Sequence, residues 1–323
     1  MHWHWQTGLT IALLFGLLLI IGYLYERLGR RRDARLNPPP GKLVEVNGRR
    51  LHLLCKGNMG PTVVIEQGAG ELSRFWWPLQ DEIAKFARVC TYDRAGYAWS
   101  ETARGARTVE ERAEDLHSLL AKGDIPGPYL LVAHSYGGMI VRDFATKYPG
   151  EVAGLVLVDT PEERSIFDRE VLAFYAKARM LNRVAAVAAR FGALRLLRNF
   201  VALDKYGFWL TRPDEFSALC DDLLSFERIP EARRSSKAAG SFGTLPMIVI
   251  THGLAFPGPF AVLEKNWNEG QEHLANLSAR GELITAAKSN HMVHDDEPEL
   301  VIDAIRRLHI GDSAQVAPSE KVN

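Results

Sequence analysis

The chain has 323 residues, 47% of them apolar, which suffices for one large domain with an insertion or for two ordinary domains. Basic and acidic residues number 39 each, a balance that gives no reason to expect nucleic acid or another polyanion as partner. The three cysteines, Cys55, Cys90 and Cys220, have neither metal spacing nor the pattern of a disulfide framework.

The N-terminus differs in kind from the rest. Thr7 to Tyr25 is an uncharged run dominated by Leu and Ile. As a helix it extends about 28 Å, enough to cross a hydrocarbon core. Trp3 and Trp5 precede it and Tyr23 and Tyr25 close it, where amphipathic rings favour the two interfaces. Arg27, Arg30, Arg31, Arg32 and Arg35 follow. A cleaved signal peptide needs a basic start and a small-x-small site. Met1 to Gln6 holds no Lys or Arg, and no Ala-x-Ala follows Ile21. Residues 1–36 therefore read as an uncleaved single-pass anchor with a basic flank. The arginines place the remainder on the cytoplasmic side by the positive-inside rule. His2 and His4 alternate with tryptophans and read as interfacial residues rather than metal ligands.

Residues 37–42, around Pro38-Pro39-Pro40-Gly41, read as a stiff linker. Asn47-Gly48 between Leu43–Val46 and Arg50–Leu54 predicts a hairpin. Apolar strands and helical patterns then alternate. Strands are predicted at Thr62–Ile65, Arg88–Tyr92, Tyr129–Val132, Leu155–Val158, Met247–Ile250 and Leu283–Thr285. Helices are predicted at Trp77–Phe86, Val109–Leu120, Met139–Lys147, within Val262–Ser278 and at Pro298–Leu308. This predicts a mostly parallel sheet with helices on both faces. Cys55 and Cys90 fall in or beside strands and read as buried thiols, a single Cys55–Cys90 bridge being the lesser alternative. From about 161 to 244 the alternation stops, and helices at Val171–Met180, Val184–Val201 and Glu215–Phe226 predict a helical cap. Residues 43–310 thus form one domain with that insertion, and 311–323 a disordered tail.

Ala133-His134-Ser135-Tyr136-Gly137-Gly138 joins a predicted strand to a predicted helix by one sharp turn. A serine at the tip of such a turn stands clear of both elements. The pattern is G-x-S-x-G with Ala133 in the first place. A serine nucleophile needs a base, and His291 follows the last predicted strand, at the sheet rim that also holds Ser135. His294, beside Asp295 and Asp296, reads as a capping or solvent-facing residue. No Asp follows the Met247–Ile250 strand, where Thr251-His252-Gly253 stands. Asp159, ending the strand before the cap, is the candidate for orienting His291, and Glu264 is its rival. The oxyanion donors are read as the N–H groups of Tyr136 and of Ala69, in Gln67-Gly68-Ala69-Gly70. Gly68, Gly70 and His134 are assigned to the substrate pocket, and no metal site is read.

These motifs resemble the α/β-hydrolase superfamily from about Leu43 to Ile310. Tyr92-Asp93-Arg94-Ala95-Gly96-Tyr97-Ala98-Trp99-Ser100 is similar to its D-x-R-G-x-G-x-S segment. Leu155–Asp159 is similar to its strand before the cap. Ser289-Asn290-His291 with Asp296-Glu297-Pro298-Glu299-Leu300-Val301 is similar to its histidine loop and closing helix. The resemblance implies an α/β-hydrolase fold with a helical cap, and a serine hydrolase without metal or organic cofactor. Ser135 stands where capped epoxide hydrolases and haloalkane dehalogenases carry an aspartate, which disfavours those chemistries. The expected activity is a membrane-anchored carboxylesterase acting on a small lipophilic acyl substrate. Amidase or iminopeptidase action, or binding without catalysis, are the alternatives.

Overall fold

The computed structural model describes residues 2–103, 105, 107–198, 211–229 and 241–313. Eight strands form one sheet: β1 Lys42–Val46, β2 Arg49–Lys56, β3 Thr62–Glu66, β4 Val89–Tyr92, β5 Tyr129–His134, β6 Val152–Val158, β7 Met247–His252 and β8 Gly281–Ala286. Their spatial order is β1-β2-β4-β3-β5-β6-β7-β8, parallel from β4 to β8. β1 and β2 form the antiparallel hairpin, with Asn47 and Gly48 both at positive φ as its turn demands. The central strands are buried along their whole length, as expected where helices cover both faces. Along β5, Leu131 and Ala133 join the core beneath α3 (Val109–Lys122) and α4 (Gly137–Lys147). Leu130 and Val132 face the opposite way, into the core under α2 (Trp77–Ile83) and the C-terminal helix.

The order of strands corrects the reading of the cysteines. β4 lies between β2 and β3, and its antiparallel pairing with β2 sets Cys55 directly opposite Cys90, where a disulfide joins them. Cys220 is the free, buried thiol.

Between β6 and β7 run α5 (Glu163–Ile166), α6 (Arg169–Arg190), α7 (Ala193–Leu197) and α8 (Pro213–Glu227). The break expected after Met180 is absent, and α6 continues to Arg190. The helix ends instead at Gly192, whose φ of 75° is the left-handed conformation that favours glycine. Of the expected Val184–Val201 helix, 199–201 lie outside the described residues, as do parts of the insertion at 202–210 and 230–240. The expected helix within Val262–Ser278 is a 3-10 turn at Gly258–Glu264 followed by α9 (Trp267–Ala275), separated at Asn266. α10 (Val293–Asp296) and α11 (Pro298–Ser313) close the fold, so the helix runs into the expected tail, of which 314–323 lie outside the described residues.

α1 spans His2–Leu36, carrying the apolar run and the basic flank as one helix. Its apolar segment is long enough to cross a membrane and is not buried against the rest of the chain. Its second half docks on the insertion. Gly22 meets the Phe191 carbonyl and Gly29 the Arg195 guanidinium so closely that a Cβ would lie 2.3 and 2.5 Å from them. Arg195 forms a two-pronged ion pair with Glu26, at 2.6 and 3.1 Å, and reaches Asp33 at 2.7 Å. The segment after α1 is held too: Trp99 Nε1 donates to Asn37 O at 2.9 Å, and His52 Nε2 contacts Pro40 O.

Candidate active site

The turn between β5 and α4 puts Ser135 at φ 49°, a conformation a non-glycine residue holds only when its surroundings impose it. Its N–H donates to Val158 O at 3.1 Å, and its carbonyl accepts from Gly138 N at 3.0 Å. Gly137 has no alternative here, because a Cβ would come within 2.6 Å of Glu66 O and 2.7 Å of Gln67 O. Ala133, by contrast, is fully buried without difficulty in the position of the first glycine.

Three of the sequence-selected side chains meet. Ser135 Oγ lies 2.9 Å from His291 Nε2, and His291 Nδ1 lies 2.6 Å from Asp159 Oδ2. Asp159, like Ser135, sits at positive φ, 46°, and its N–H is held by Ile250 O at 2.7 Å. The carboxylate also accepts from Trp267 Nε1 at 3.0 Å, from His252 N at 3.1 Å and from His252 Nδ1 at 2.8 Å. Burial alone raises this carboxyl's pKa, but the bonds from His252 and His291 outweigh it and hold the group well below the usual range. Glu264 is one imidazole removed. It contacts His252 Nε2 at 3.2 Å and accepts from Phe256 N at 3.1 Å. With carboxylates at both ring nitrogens, His252 titrates above its ordinary value despite burial. It stands on β7 in the place where no acid was found.

His294 is not the capping or solvent-facing residue expected. It is fully buried and stacked on Trp76, ring centroids 4.2 Å apart, and burial lowers its pKa to about 3. His134 does not line a pocket either, being 1% exposed. Its Nε2 donates to the His291 carbonyl at 2.8 Å, and its Nδ1 lies 2.6 Å from Glu71 Oε1 as an ion pair off the hydrogen-bonding direction. Burial opposes a charge on this ring, but Glu71 outweighs it and raises the pKa. Glu71 in turn accepts from Gly68 N at 2.9 Å and from Trp76 Nε1 at 3.3 Å. Ligand atoms of Glu71, His134 and His294 gather within 4.8 Å of one another, a donor set a metal ion could use. Glu71 and His134 form a brace that ties the loop after β3 to the His291 loop.

In the loop after β3, Gly68 N is committed to Glu71 and Gly70 N donates to Tyr97 OH at 3.2 Å. Ala69 N, between them, and Tyr136 N, opening α4, have no acceptor among the described residues. Gly70 also faces the insertion, where Leu219 of α8 packs over it. Arg94 fixes the carbonyl side of this loop. It donates to Gln67 O and Gly68 O, both at 2.6 Å, to Glu66 at 2.7 Å and to Asp222 of α8 at 3.0 Å. Asp222 also binds Arg112 at 2.8 Å and accepts from Tyr97 OH at 2.7 Å. The Tyr136 side chain points away from Ser135 into this region, its OH accepting from Ser225 Oγ at 2.7 Å. The D-x-R segment was recognised in the sequence, but the reach of Arg94 to α8 depends on a contact 128 positions away.

A base in this geometry must be neutral to take a proton. Burial lowers the pKa of His291, the bond to Asp159 raises it, and the charge on His134 lowers it again; the net direction is down. The acid limb of kcat/KM should therefore rise through a pH below 6.5 and then level off. His134→Gln removes one depressing charge and should move that limb to higher pH. A limb above 6.5 in the wild type, or one unmoved in the variant, would contradict this electrostatic arrangement.

Comparison with known proteins agrees with this architecture. Residues 61–211 match the family described as alpha/beta hydrolase fold. An uncharacterized protein of Bacillus subtilis, YqjL, is 28% identical over 267 residues, covering 81% of this chain and 89% of that one. An AB hydrolase superfamily protein of Gibberella zeae is 25% identical over 279 residues, covering 77% and 86%. Among solved structures, a thermophilic esterase from Thermogutta terrifontis superposes with a TM-score of 0.61 at 20% identity, over 83% of this chain and 98% of that one. Sheet order, elbow and relatives agree: the chain has the α/β-hydrolase fold.

Proposed function

We propose that the protein is a serine hydrolase, most specifically a carboxylesterase, that works through an acyl-enzyme. The observation that carries this reading is the chain of contacts from Ser135 Oγ to His291 Nε2 at 2.9 Å and from His291 Nδ1 to Asp159 at 2.6 Å. Ser135 Oγ attacks the ester carbonyl carbon while its proton passes to His291 Nε2. Asp159 holds the His291 tautomer and stabilises the imidazolium. The oxyanion is held by the uncommitted N–H groups of Ala69 and Tyr136. As the carbon–oxygen bond breaks, His291 returns the proton to the departing alcohol, and water attacks the acyl-enzyme by the same route. Leu219, which α8 packs over Gly70 of the loop, favours a lipophilic acyl group. A fluorophosphonate probe should label the wild type at Ser135, and Ser135→Ala should reduce labelling to background. Equal labelling of both proteins would overturn the reading.

We further propose that α1 anchors the enzyme in a membrane, with the hydrolase domain in an oxidising compartment. Disulfides persist outside the reducing cytosol, and Cys55–Cys90 is one. This opposes the orientation expected from the arginines after the apolar run. Arg30 is engaged by Asp214 of the insertion, so that cluster serves contacts within the chain as well as any surface charge. Closing a loop with a sequence separation of 35 contributes about 3–4 kcal/mol in the chain-entropy account. Protein alkylated on isolation and then unfolded should show one reactive thiol, Cys220, and two more only after reduction. Three reactive thiols before reduction would remove the basis for that compartment.

A further inference from the structure

Where α1 meets the insertion there is a cavity of about 560 Å³, bounded also by Ala98 and Trp99. Its lining is cationic, with five arginines against three carboxylates. The carboxylates are already engaged: Glu26 and Asp33 by Arg195, and Asp214 by Arg30 and Arg212. Arg27, Arg31 and Arg190 have no carboxylate partner among the described residues. Pro213 opens α8 at the same wall, so the positive end of a 15-residue helix adds to the field. Tyr23 and Trp99 supply the aromatic rings.

The position of this cavity along α1 is informative. The uncharged run ends at Tyr25, and Arg27 and Arg31 lie in the next two turns of the same helix. With the run in hydrocarbon, those guanidiniums stand at the depth of lipid phosphates. We propose that this cavity seats the phosphate of an anionic phospholipid, with Arg27, Arg31 and Arg190 as its ligands. The choice of a lipid rather than a free anion rests on the reading of α1 as a membrane anchor. The lipid joins α1 to the end of α6 beside the start of α8, and α8 packs Leu219 on Gly70 of the loop after β3 and binds Arg94 through Asp222. The seat therefore links membrane attachment to the elements around Ser135.

The test uses the full chain in a neutral detergent with three probes: dihexanoyl phosphatidylglycerol, dihexanoyl phosphatidylcholine and inorganic phosphate. Bound probe is counted by native mass spectrometry. Phosphatidylglycerol should bind and phosphatidylcholine should not. Arg27→Gln, Arg31→Gln and Arg190→Gln together should weaken phosphatidylglycerol binding on the order of 100-fold, about fivefold for each juxtamembrane arginine. If the triple variant loses its cooperative melt, single Arg27→Gln and Arg31→Gln variants carry the same test at about fivefold each. Equal binding of the two lipids, or binding that survives the substitutions, overturns the proposal. Inorganic phosphate bound as tightly as phosphatidylglycerol overturns the lipid in favour of a free anion. Flotation with phosphatidylcholine vesicles reads the anchor separately. A chain that fails to float yet binds phosphatidylglycerol through these arginines keeps the seat and loses the anchor.

Discussion

Asp159→Asn should lower kcat by about 10⁴ while Ser135 and His291 stay in place. The carboxylate accepts from His291 Nδ1, His252 Nδ1, His252 N and Trp267 Nε1. An amide keeps one accepting oxygen and presents an NH₂ where the other stood. If that NH₂ faces His291, the ring is driven to the tautomer with its proton on Nε2, and it can no longer take one from Ser135. If it faces His252, that imidazole and the Trp267 N–H lose an acceptor in a buried site, at about 1–3 kcal/mol for each unsatisfied donor. Three donors converge on Oδ1, which keeps the amide oxygen there and turns the NH₂ toward His291, so the variant should be slow. Glu264→Gln provides the comparison. Glu264 touches His252 and the Phe256 amide and is about one-third exposed, so its loss leaves the His291 tautomer intact. The two variants should differ in kcat by orders of magnitude. Equal losses would move the orienting role from Asp159 to the Glu264–His252 pair.

The scaffold was readable because each central strand is an apolar run closed by a turn signal, and because one rim of a parallel sheet collects the loops after its strands. Ser135, Asp159 and His291 each follow such a strand and meet at that edge. Roles that depend on strand order or on a distant partner leave no such local signal. Cys55 and Cys90 face each other only because β4 lies between β2 and β3 in space. His134 was assigned to the pocket, but β5 turns its side chain toward Glu71 and the His291 carbonyl. His252 was visible as a histidine where an acid was sought, and its bond to Asp159 required knowing that β6 and β7 are adjacent. Within the insertion, helical sequence alone did not show where α6 ends. Gly192 was the available signal, and Leu181-Asn182-Arg183, left between the two predicted helices, continues α6.

Arg94→Met should damage stability and catalysis together, and a second substitution should separate them. The side chain is 3% exposed and stands between the buried carboxylates of Glu66 and Asp222. Removing one member of a buried ion pair typically costs about 3–5 kcal/mol, because the remaining charge stays in a poorly solvated place. Burial already raises the Glu66 pKa against the opposing effect of Arg94, so loss of the guanidinium should raise it further. Arg94 also holds the Gln67 and Gly68 carbonyls that flank Ala69. Without it the Ala69 N–H, proposed as an oxyanion donor, is no longer fixed, and losing one such donor costs on the order of 10²–10³ in kcat. Glu66→Gln added to Arg94→Met removes the carboxylate left without an ion-pair partner, whereas Asp222 keeps Arg112 and Tyr97 OH. The double variant should then be less destabilised than the sum of the single changes, the non-additivity expected of residues in contact. Its kcat should stay low, because nothing has been restored to the two carbonyls. Recovery of stability with kcat still depressed would assign Arg94 a positioning role at the oxyanion loop, distinct from its part in joining α8 to the core. Parallel recovery of both would reduce Arg94 to an ion pair that merely keeps the domain folded.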